Sequence, residues 1–346
     1  MGHVQLRIAL WHGTATPSKP MHLLSGDFQH RLKEVKSALE EARKQWLDGS
    51  ASSPSVLKIF VGPEGLLAKA DDEYAIAYDD FKLESSGLSK LSEGLLFIPG
   101  TVIWKKPAIK TSGEESSSSN RLDKIQGQLE LYRKRGQTFS ENASPHFSSH
   151  SHEKAGAARA QTVSKKLDKL REGWDGGKEG WDGGKDVFIV RNAAYAYYNQ
   201  VRLLKYYKQV EYKPDYKKKT GEVSPLEKQQ SRAIKFIPGH EDGVFQVPLA
   251  PETNIRCGVE ICADHYKGQL KNSTQGKNVH LHFILSDYIY NYQQCVAAQP
   301  GGYIIHASTV HSQSGLFTHD SKPIDPVKSA DLAVGKLECY AVTLEV

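Results

Sequence analysis

The sequence predicts a layered α/β fold, and two observations lead to this prediction. Short apolar runs closed by glycine or proline, which are typical of buried strands, alternate with an amphipathic helical stretch in the first hundred residues. The second half of the chain then adds further runs of strand character. With 346 residues, of which 39% are hydrophobic, the chain can fill a sizeable core, which excludes wholesale disorder.

The first hundred or so residues predict the order strand, helix, strand, strand. Apolar residues recur at steps of three and four over residues 27–47, which predicts a helix of about five turns with one apolar face. The run VLKIFV ends at a Gly-Pro turn, and its length favours a strand over a helix. The strand-like runs are residues 4–11, residues 56–61, and one region made of 95–98 and 102–104, which Pro99-Gly100 interrupts.

Strand-like runs outnumber helices from residue 186 onward. VFIVRNAAYAYY and RLLKYYKQVEY predict two strands joined by Asn199 and Gln200. NIRCGVEIC, HLHFILSD, YIIHAST and ECYAVTLEV predict four more strands.

Residues 107–185 differ in composition from the rest of the chain. They contain GEESSSS, a stretch rich in Ser and His, and two successive copies of EGWDGGK at 172–178 and 179–185. Such Gly- and Ser-rich composition predicts a partly disordered insertion, a flexible hairpin or linker, within one domain spanning 1–346.

Net charge, hydropathy and cysteine content limit which partners and which cellular compartment we expect for this protein. The net charge of +5 is mild for this length, so we predict no nucleic-acid partner and no membrane partner. No apolar run approaches the roughly 20 residues that span a bilayer, and no secretory signal is recognisable. Four cysteines in such a long chain fit a reducing compartment, which predicts a cytoplasmic protein.

Three apolar strands end at a residue that could carry chemistry. Glu64 follows IFVGP, Lys208 follows LLKYY, and Cys262 closes CGVEIC. Each signal alone is weak, since such residues are most often solvated or simply buried. Their combination is more specific, because ligand sites gather at the strand ends of α/β sheets.

These segments resemble the nitrilase, or carbon–nitrogen hydrolase, superfamily, which places a Glu, a Lys and a Cys in this order at strand ends. IFVGPE carries Glu64, LFIPGTVIW resembles the strand that follows it, and the hairpin VRNAAYAYYNQVRLLKYYKQ leads to Lys208. GVEICADHY resembles the nucleophile strand and assigns Cys262. GEVSPLE resembles the stretch in which many members carry a second active-site glutamate, here Glu222.

The resemblance implies a four-layer α-β-β-α sandwich and a thiol-dependent hydrolase of non-peptide carbon–nitrogen bonds, amide rather than nitrile. Glu64 would be the general base for Cys262, and the product of the first half-reaction would be a thioester. Lys208 and the backbone N–H of Ala263 would stabilise the oxyanion, and Glu222 would position Lys208 or the substrate. The family works without metal or organic cofactor on small molecules, and its members associate as dimers or larger homo-oligomers.

The sequence departs from the family pattern beside the nucleophile. Members usually carry an aromatic residue directly after the Cys, where this chain has Ala263, and no Arg follows shortly after. The substrate therefore does not carry over from the resemblance. The candidate substrate contacts are Trp104, Asp264, His265 and Asp287.

Two other functions use the same fold. An acyl transferase would pass the thioester to a second amine instead of water. A non-catalytic binding protein is the other possibility, although the intact set of Glu64, Lys208 and Cys262 argues against it.

The sequence gives weaker support to three other kinds of site. A papain-like pair of Cys262 with His265 or another histidine lacks the expected order along the chain. His280 and His282 share one strand face and could bind zinc, but the chain has no CxxC and no HExxH. The Lys- and Tyr-rich residues 205–219 could bind single-stranded nucleic acid, although they overlap the Lys208 motif.

Overall fold

The computed structural model describes residues 2–13, 28–48, 56–67, 76–77, 81, 87–107, 187–212, 233–250, 253–275 and 278–346. The chain divides into two compact units, Met1–Pro107 with Phe188–Val346, and Ala108–Val187. Nearly all described residues lie in the first unit. The predicted insertion at 107–185 lies outside the described residues, apart from its first residue.

The described residues contain sixteen strands, numbered along the chain. They are β1 (His3–His12), β2 (Val56–Val61), β3 (Ile76–Ala77), β4 (Leu96–Ile98), β5 (Thr101–Pro107), β6 (Val187–Tyr198), β7 (Val201–Tyr207), β8 (Ala233–Phe236), β9 (Val244–Ala250), β10 (Thr253–Ile261), β11 (Val279–Ser286), β12 (Ala298–Ser308), β13 (Gly315–Thr318), β14 (Pro323–Ile324), β15 (Lys328–Asp331) and β16 (Lys336–Glu345). The helices are α1 (Phe28–Ala42), continued by a π turn at Arg43–Leu47, and the short α2 (Ala263–Tyr266) and α3 (Gln269–Thr274), with single 3-10 turns at Gln293–Cys295 and His311–Gln313.

These strands form two sheets. The first has the order β15-β16-β1-β2-β4-β6-β5-β3, with β7 and β8 also paired to β6. At the centre of this sheet, β1 pairs parallel with β2 on one side and antiparallel with β16 on the other. The second sheet has the order β14-β13-β12-β11-β10-β9, and β10, β11 and β12 are mutually parallel.

Both faces of the first sheet are buried, as the alternation along β1 shows. Ile8 and Leu10 share a core cluster with residues of β10, β11 and β12, so this cluster lies between the two sheets. Ala9 and Trp11 point the other way and pack in a cluster with the apolar face of α1. Leu270 of α3 packs on the outer face of the second sheet. The layers therefore run helix, sheet, sheet, helix, which confirms the predicted α-β-β-α order.

Two local predictions are confirmed in type. The predicted helix over 27–47 is α1 with its terminal π turn. The predicted strand pair is β6 and β7, and Asn199 and Gln200 form the turn with φ of 46° and 67°. Positive φ at both central residues matches the twist of a two-residue hairpin. The strand β7 is shorter than predicted, because it ends at Tyr207. No described helix combines the length and apolarity needed to span a membrane.

Candidate active site

The three predicted reactive residues lie just beyond strand ends, as expected. Glu64 lies three residues beyond β2, while Lys208 and Cys262 directly follow β7 and β10. All three are buried, with relative exposures of 2% for Glu64, 0% for Lys208 and 7% for Cys262. The fold thus withdraws a carboxyl group, an amine and a thiol from bulk water.

Glu64 is the acceptor of three hydrogen bonds. Nζ of Lys208 donates to its Oε1 at 2.8 Å, and Nδ2 of Asn192 donates to the same oxygen at 2.7 Å. The backbone N–H of Asp287 donates to Oε2 at 3.0 Å. A carboxylate offers about four lone-pair positions, so one position remains for a further donor. The Lys208–Glu64 ion pair is fully enclosed, which makes each charge dependent on the other.

The loop that carries Glu64 is packed against the start of β5. Thr101 binds this loop twice, because its N–H donates to the carbonyl of Pro63 at 3.2 Å and its Oγ1 accepts from the N–H of Gly65 at 2.8 Å. Gly100 has φ of +84°, and a Cβ there would lie 2.2 Å from the carbonyl oxygen of Pro63. Only glycine permits this approach, which holds the Glu64 loop in one place.

Cys262 forms a sharp strand-to-helix turn between β10 and α2. Its φ of 47° and ψ of −106° are unfavourable for a residue with a side chain. Its N–H donates to the carbonyl of Leu285 at 2.9 Å, and its carbonyl accepts from the N–H of His265 at 2.9 Å. Leu285 is two residues before Asp287, whose N–H binds Glu64. The end of β11 therefore ties the Cys262 turn to the Glu64 carboxylate.

Asp264 connects the same turn to the chain beyond Lys208. Tyr206 Oη donates to its Oδ2 at 2.7 Å, while the N–H groups of Gln209 and Val210 donate to Oδ1 at 3.0 and 2.7 Å. Burial raises the pKa of Asp264 to about 7, although nearby Lys208 and the hydrogen bonds lower it. These bonds also explain why β7 stops short, since the N–H groups beyond it are bound by Asp264.

We expect Asp264→Asn to flatten the pH dependence of stability between about pH 4 and pH 7. Because the folded pKa lies above the unfolded value of 3.8, the native state binds more protons in this window. The contribution of Asp264 to stability is therefore full below its unfolded pKa and is lost as the pH rises through about 7. Urea denaturation at several pH values measures this slope. The exposed Asp325→Asn should keep the wild-type slope, and an unchanged slope in Asp264→Asn would contradict the assignment.

His265 belongs to a buried network behind the turn. Glu260 Oε2 accepts from Nδ1 of His265 and from Nε2 of His282, both at 2.9 Å. The other ring nitrogens accept backbone N–H groups, from Tyr292 at 3.0 Å and from Ala297 at 3.3 Å. Burial raises the pKa of Glu260, but the two histidine hydrogen bonds outweigh it and lower that pKa to about 2. Each ring nitrogen thus has a partner within the protein.

Two predicted substrate contacts have partners inside the protein. Asp264 and His265 have exposures of 0%, and their polar atoms are used inside the protein, because burial there requires partners. These bonds hold the turn in position. Zinc on His280 and His282 is disfavoured, since Nδ1 of His280 accepts the N–H of Arg256 at 2.9 Å and both His282 nitrogens have partners inside the protein.

The remaining predicted residues have different surroundings. Asp287 is only partly buried and adjoins Glu64, and its Oδ1 accepts from Oγ1 of Thr309 at 2.5 Å. Trp104 is buried in the cluster beneath α1, edge-on to Tyr207 at 6.0 Å, so it does not line the Glu64 site. Ala263 begins α2, where the first N–H groups lack intrahelical acceptors. Glu222 lies outside the described residues.

Sequence reasoning missed Asn192, the second side chain on Glu64 Oε1. It is 2% exposed, and its backbone carbonyl also accepts from the N–H of Lys208 at 2.9 Å. The sequence does mark this position, because in VRNAAY the amide of Asn192 directly precedes an apolar run within a predicted strand. A buried amide in a central strand needs a specific partner, and here that partner is the carboxylate.

Several solved structures are similar to this chain. An amidase from Nesterenkonia sp. AN1, described as carrying the Michael adduct of acrylamide at its active-site cysteine, is 13% identical, with 99% of this chain and 93% of that chain covered and a TM-score of 0.44. Saccharomyces cerevisiae Nit3, described as a member of branch 10 of the nitrilase superfamily, is 10% identical, with 98% and 90% covered and a TM-score of 0.45. No protein-family model and no curated protein sequence matches the chain.

Proposed function

We propose that this chain is a member of the carbon–nitrogen hydrolase superfamily that cleaves a non-peptide carbon–nitrogen bond, with Cys262 as nucleophile. The observation that carries this proposal is the enclosed Lys208–Glu64 pair, which the end of β11 connects to the strained Cys262 turn. An enclosed ion pair is a poor source of stability, and a strained nucleophile turn is a cost to the fold. Both features are typical of functional sites.

The first half-reaction forms a thioester. Glu64 takes the Cys262 thiol proton through its remaining lone-pair position, and the sulfur forms a bond to the amide carbon. Lys208 Nζ and the N–H of Ala263 donate to the oxyanion that develops on the amide oxygen. Glu64 then protonates the nitrogen, the carbon–nitrogen bond breaks, and ammonia or an amine leaves.

The second half-reaction releases the acid. Glu64 deprotonates a water molecule, the water oxygen forms a bond to the thioester carbon, and the carbon–sulfur bond breaks as the thiol regains its proton. The sum is amide plus water giving acid plus amine, with no cofactor or metal. Asp287 lies beside Glu64 and is partly exposed, which supports it as a substrate contact. A small-molecule amide rather than a nitrile, a homo-oligomer and a cytoplasmic location complete the proposal.

Ammonia release over a panel of small amides and nitriles tests the function. We expect the natural protein to release ammonia from at least one amide and Cys262→Ala to release none. Hydroxylamine should intercept the thioester of either enzyme, so hydroxamate supports the intermediate, whereas turnover that requires an added amine and yields no free acid would instead favour acyl transfer. If neither protein releases ammonia or forms hydroxamate over a broad panel, the result would favour a non-catalytic binding protein over an enzyme.

Iodoacetamide labelling tests the nucleophile separately, and the chain supplies a matched control. Cys262 and Cys295 are both 7% exposed, so a difference in their labelling reports reactivity rather than access. Burial raises the pKa of Cys295, which slows its alkylation. We expect peptide mapping to find the adduct on Cys262 first. Equal or preferential labelling of Cys295 would contradict Cys262 as the nucleophile.

A further inference from the structure

A second group of polar side chains meets where β1 ends, and the proposed reaction does not use it. His12 is the last residue of β1, Glu338 lies on the neighbouring β16, and His311 follows β12 in the other sheet. One ligating atom from each lies within 4.8 Å of the others. His12 is 0% exposed and Glu338 is 6% exposed.

Two ring nitrogens in this group lack hydrogen-bond partners among the described residues. Nδ1 of His12 lies 2.8 Å from the carbonyl of Gly13, to which it can only donate, and in the neutral ring this leaves a lone pair on Nε2. That Nε2 lies 3.2 Å from Oε2 of Glu338, within ion-pair distance but without the geometry of a hydrogen bond. Nδ1 of His311 is also buried without a hydrogen bond, and the two imidazole rings stack at 5.0 Å. Buried lone pairs without a donor are costly.

The Glu260 network provides the contrast within the same protein. It also combines two histidines with a glutamate, yet every ring nitrogen of His265 and His282 has a partner there. That network is complete without an ion. The group at the end of β1 has the same composition but presents two unfilled nitrogens to one carboxylate.

We propose that Nε2 of His12, Nδ1 of His311 and Oε2 of Glu338 bind a divalent transition metal, for which Zn²⁺ is the expected ion. Imidazole and carboxylate suit zinc, and ligand atoms on a tetrahedral ion with bonds of about 2.0 Å lie about 3.3 Å apart. The 3.2 Å between Nε2 and Oε2 matches this spacing. Three protein ligands leave the fourth position to water.

The surroundings of the ligands fit such a site. A ligating histidine usually donates its other ring N–H to a carbonyl or carboxylate, as His12 does to Gly13. Tyr340 Oη donates to Oε2 of Glu338 at 2.6 Å, and Lys336 Nζ lies 3.1 Å from Oε1. Lys336 therefore occupies the carboxylate oxygen that the ion does not need. Because its side chain is 23% exposed, it can also turn toward solvent.

The bound ion would join the two sheets. His12 and Glu338 belong to the first sheet, while His311 lies in the loop after β12 of the second. A ligand that binds only the native state stabilises it in proportion to the logarithm of its concentration over its dissociation constant. Metal binding should therefore raise the melting temperature, which needs no assumption about the proposed hydrolase activity.

Zinc uptake by the chelator-treated full chain tests the site. In all proteins compared, His146, His150 and His152 are replaced by serine, because this His-rich stretch could bind zinc on its own. After Zn²⁺ is added and the excess removed, we expect one equivalent of Zn²⁺ per chain to remain bound. The melting temperature should rise with added Zn²⁺ but not with added Mg²⁺. His311→Asn, at a partly exposed loop position, should lose the temperature rise and weaken binding more than about 100-fold.

The control is His3→Asn, which alters an exposed histidine at the other end of β1 and should keep both properties. Glu338→Gln gives a second test of the ligand set, because an amide keeps the shape and loses the charge. The proposal is overturned if the parent protein takes up no zinc. It is also overturned if His311→Asn binds zinc and gains stability as the parent does, since the ion would then lie elsewhere.

Discussion

Replacing Glu64 with glutamine should lower turnover by about 100- to 10,000-fold and destabilise the protein by about 3–5 kcal/mol. The rate falls because an amide cannot accept the thiol proton. Stability falls because Lys208, with an exposure of 0%, keeps its charge and loses its counter-charge. The amide must also turn a donor toward Lys208 and Asn192 or toward the N–H of Asp287. Steady-state kinetics and urea denaturation measure the two losses.

A double variant separates chemistry from folding. In Glu64→Gln/Lys208→Met both enclosed charges are removed, so most of the lost stability should return while turnover stays low. Asp320→Asn breaks the exposed pair with Lys322 and should leave both measurements unchanged. Wild-type turnover in the double variant would exclude Glu64 as the base. Wild-type stability in the single variant would contradict the enclosed ion pair.

Cys262→Gly should be more stable than Cys262→Ala by about 1 kcal/mol, although glycine ordinarily weakens a fold relative to alanine. The sign is reversed because φ of 47° with ψ of −106° strains any residue that carries a Cβ. Both variants should be inactive, since neither has a thiol. Position 262 would then be one at which the natural cysteine makes the protein less stable than glycine would, while providing the thiol that the proposed activity requires.

Ser321 supplies the matched control for this strain. Its φ is 63°, and it lies in the turn before β14. Ser321→Gly should likewise be more stable than Ser321→Ala, but both should keep full turnover. If Cys262→Ala is the more stable of the Cys262 variants, the strained geometry at the turn is wrong.

The layered fold was accessible from sequence because its signals are local. An alternating or continuous apolar run reports which faces are buried, and the turn residues Asn199 and Gln200 report where a hairpin bends. The positions of Glu64 and Lys208 at strand ends followed from the same runs. Their contact joins residues that are 144 positions apart, and only the resemblance to a family brought them together before the structure did.

The hydrogen-bond networks in the interior could not be predicted from local sequence patterns. Asp264 and His265 follow the nucleophile candidate, so adjacency alone predicted substrate contacts. Their orientation depends on which groups from β7 and β11 pack beside them, and no local pattern encodes that choice. Tyr206 and His282 provide those partners from distant strands. A short turn points successive side chains in different directions, so residues next to a nucleophile in sequence need not contact the substrate.

The position of β1 constrains the order in which this protein is completed during translation. This strand lies between β2, which the ribosome makes soon afterwards, and β16, which is the last described strand to be made. Until β16 emerges, one long edge of β1 presents ten residues of unpaired backbone, from His3 to His12. Exposed edges of this kind invite pairing with other chains. Nascent protein should therefore depend on chaperones, and truncation before residue 336 should promote aggregation.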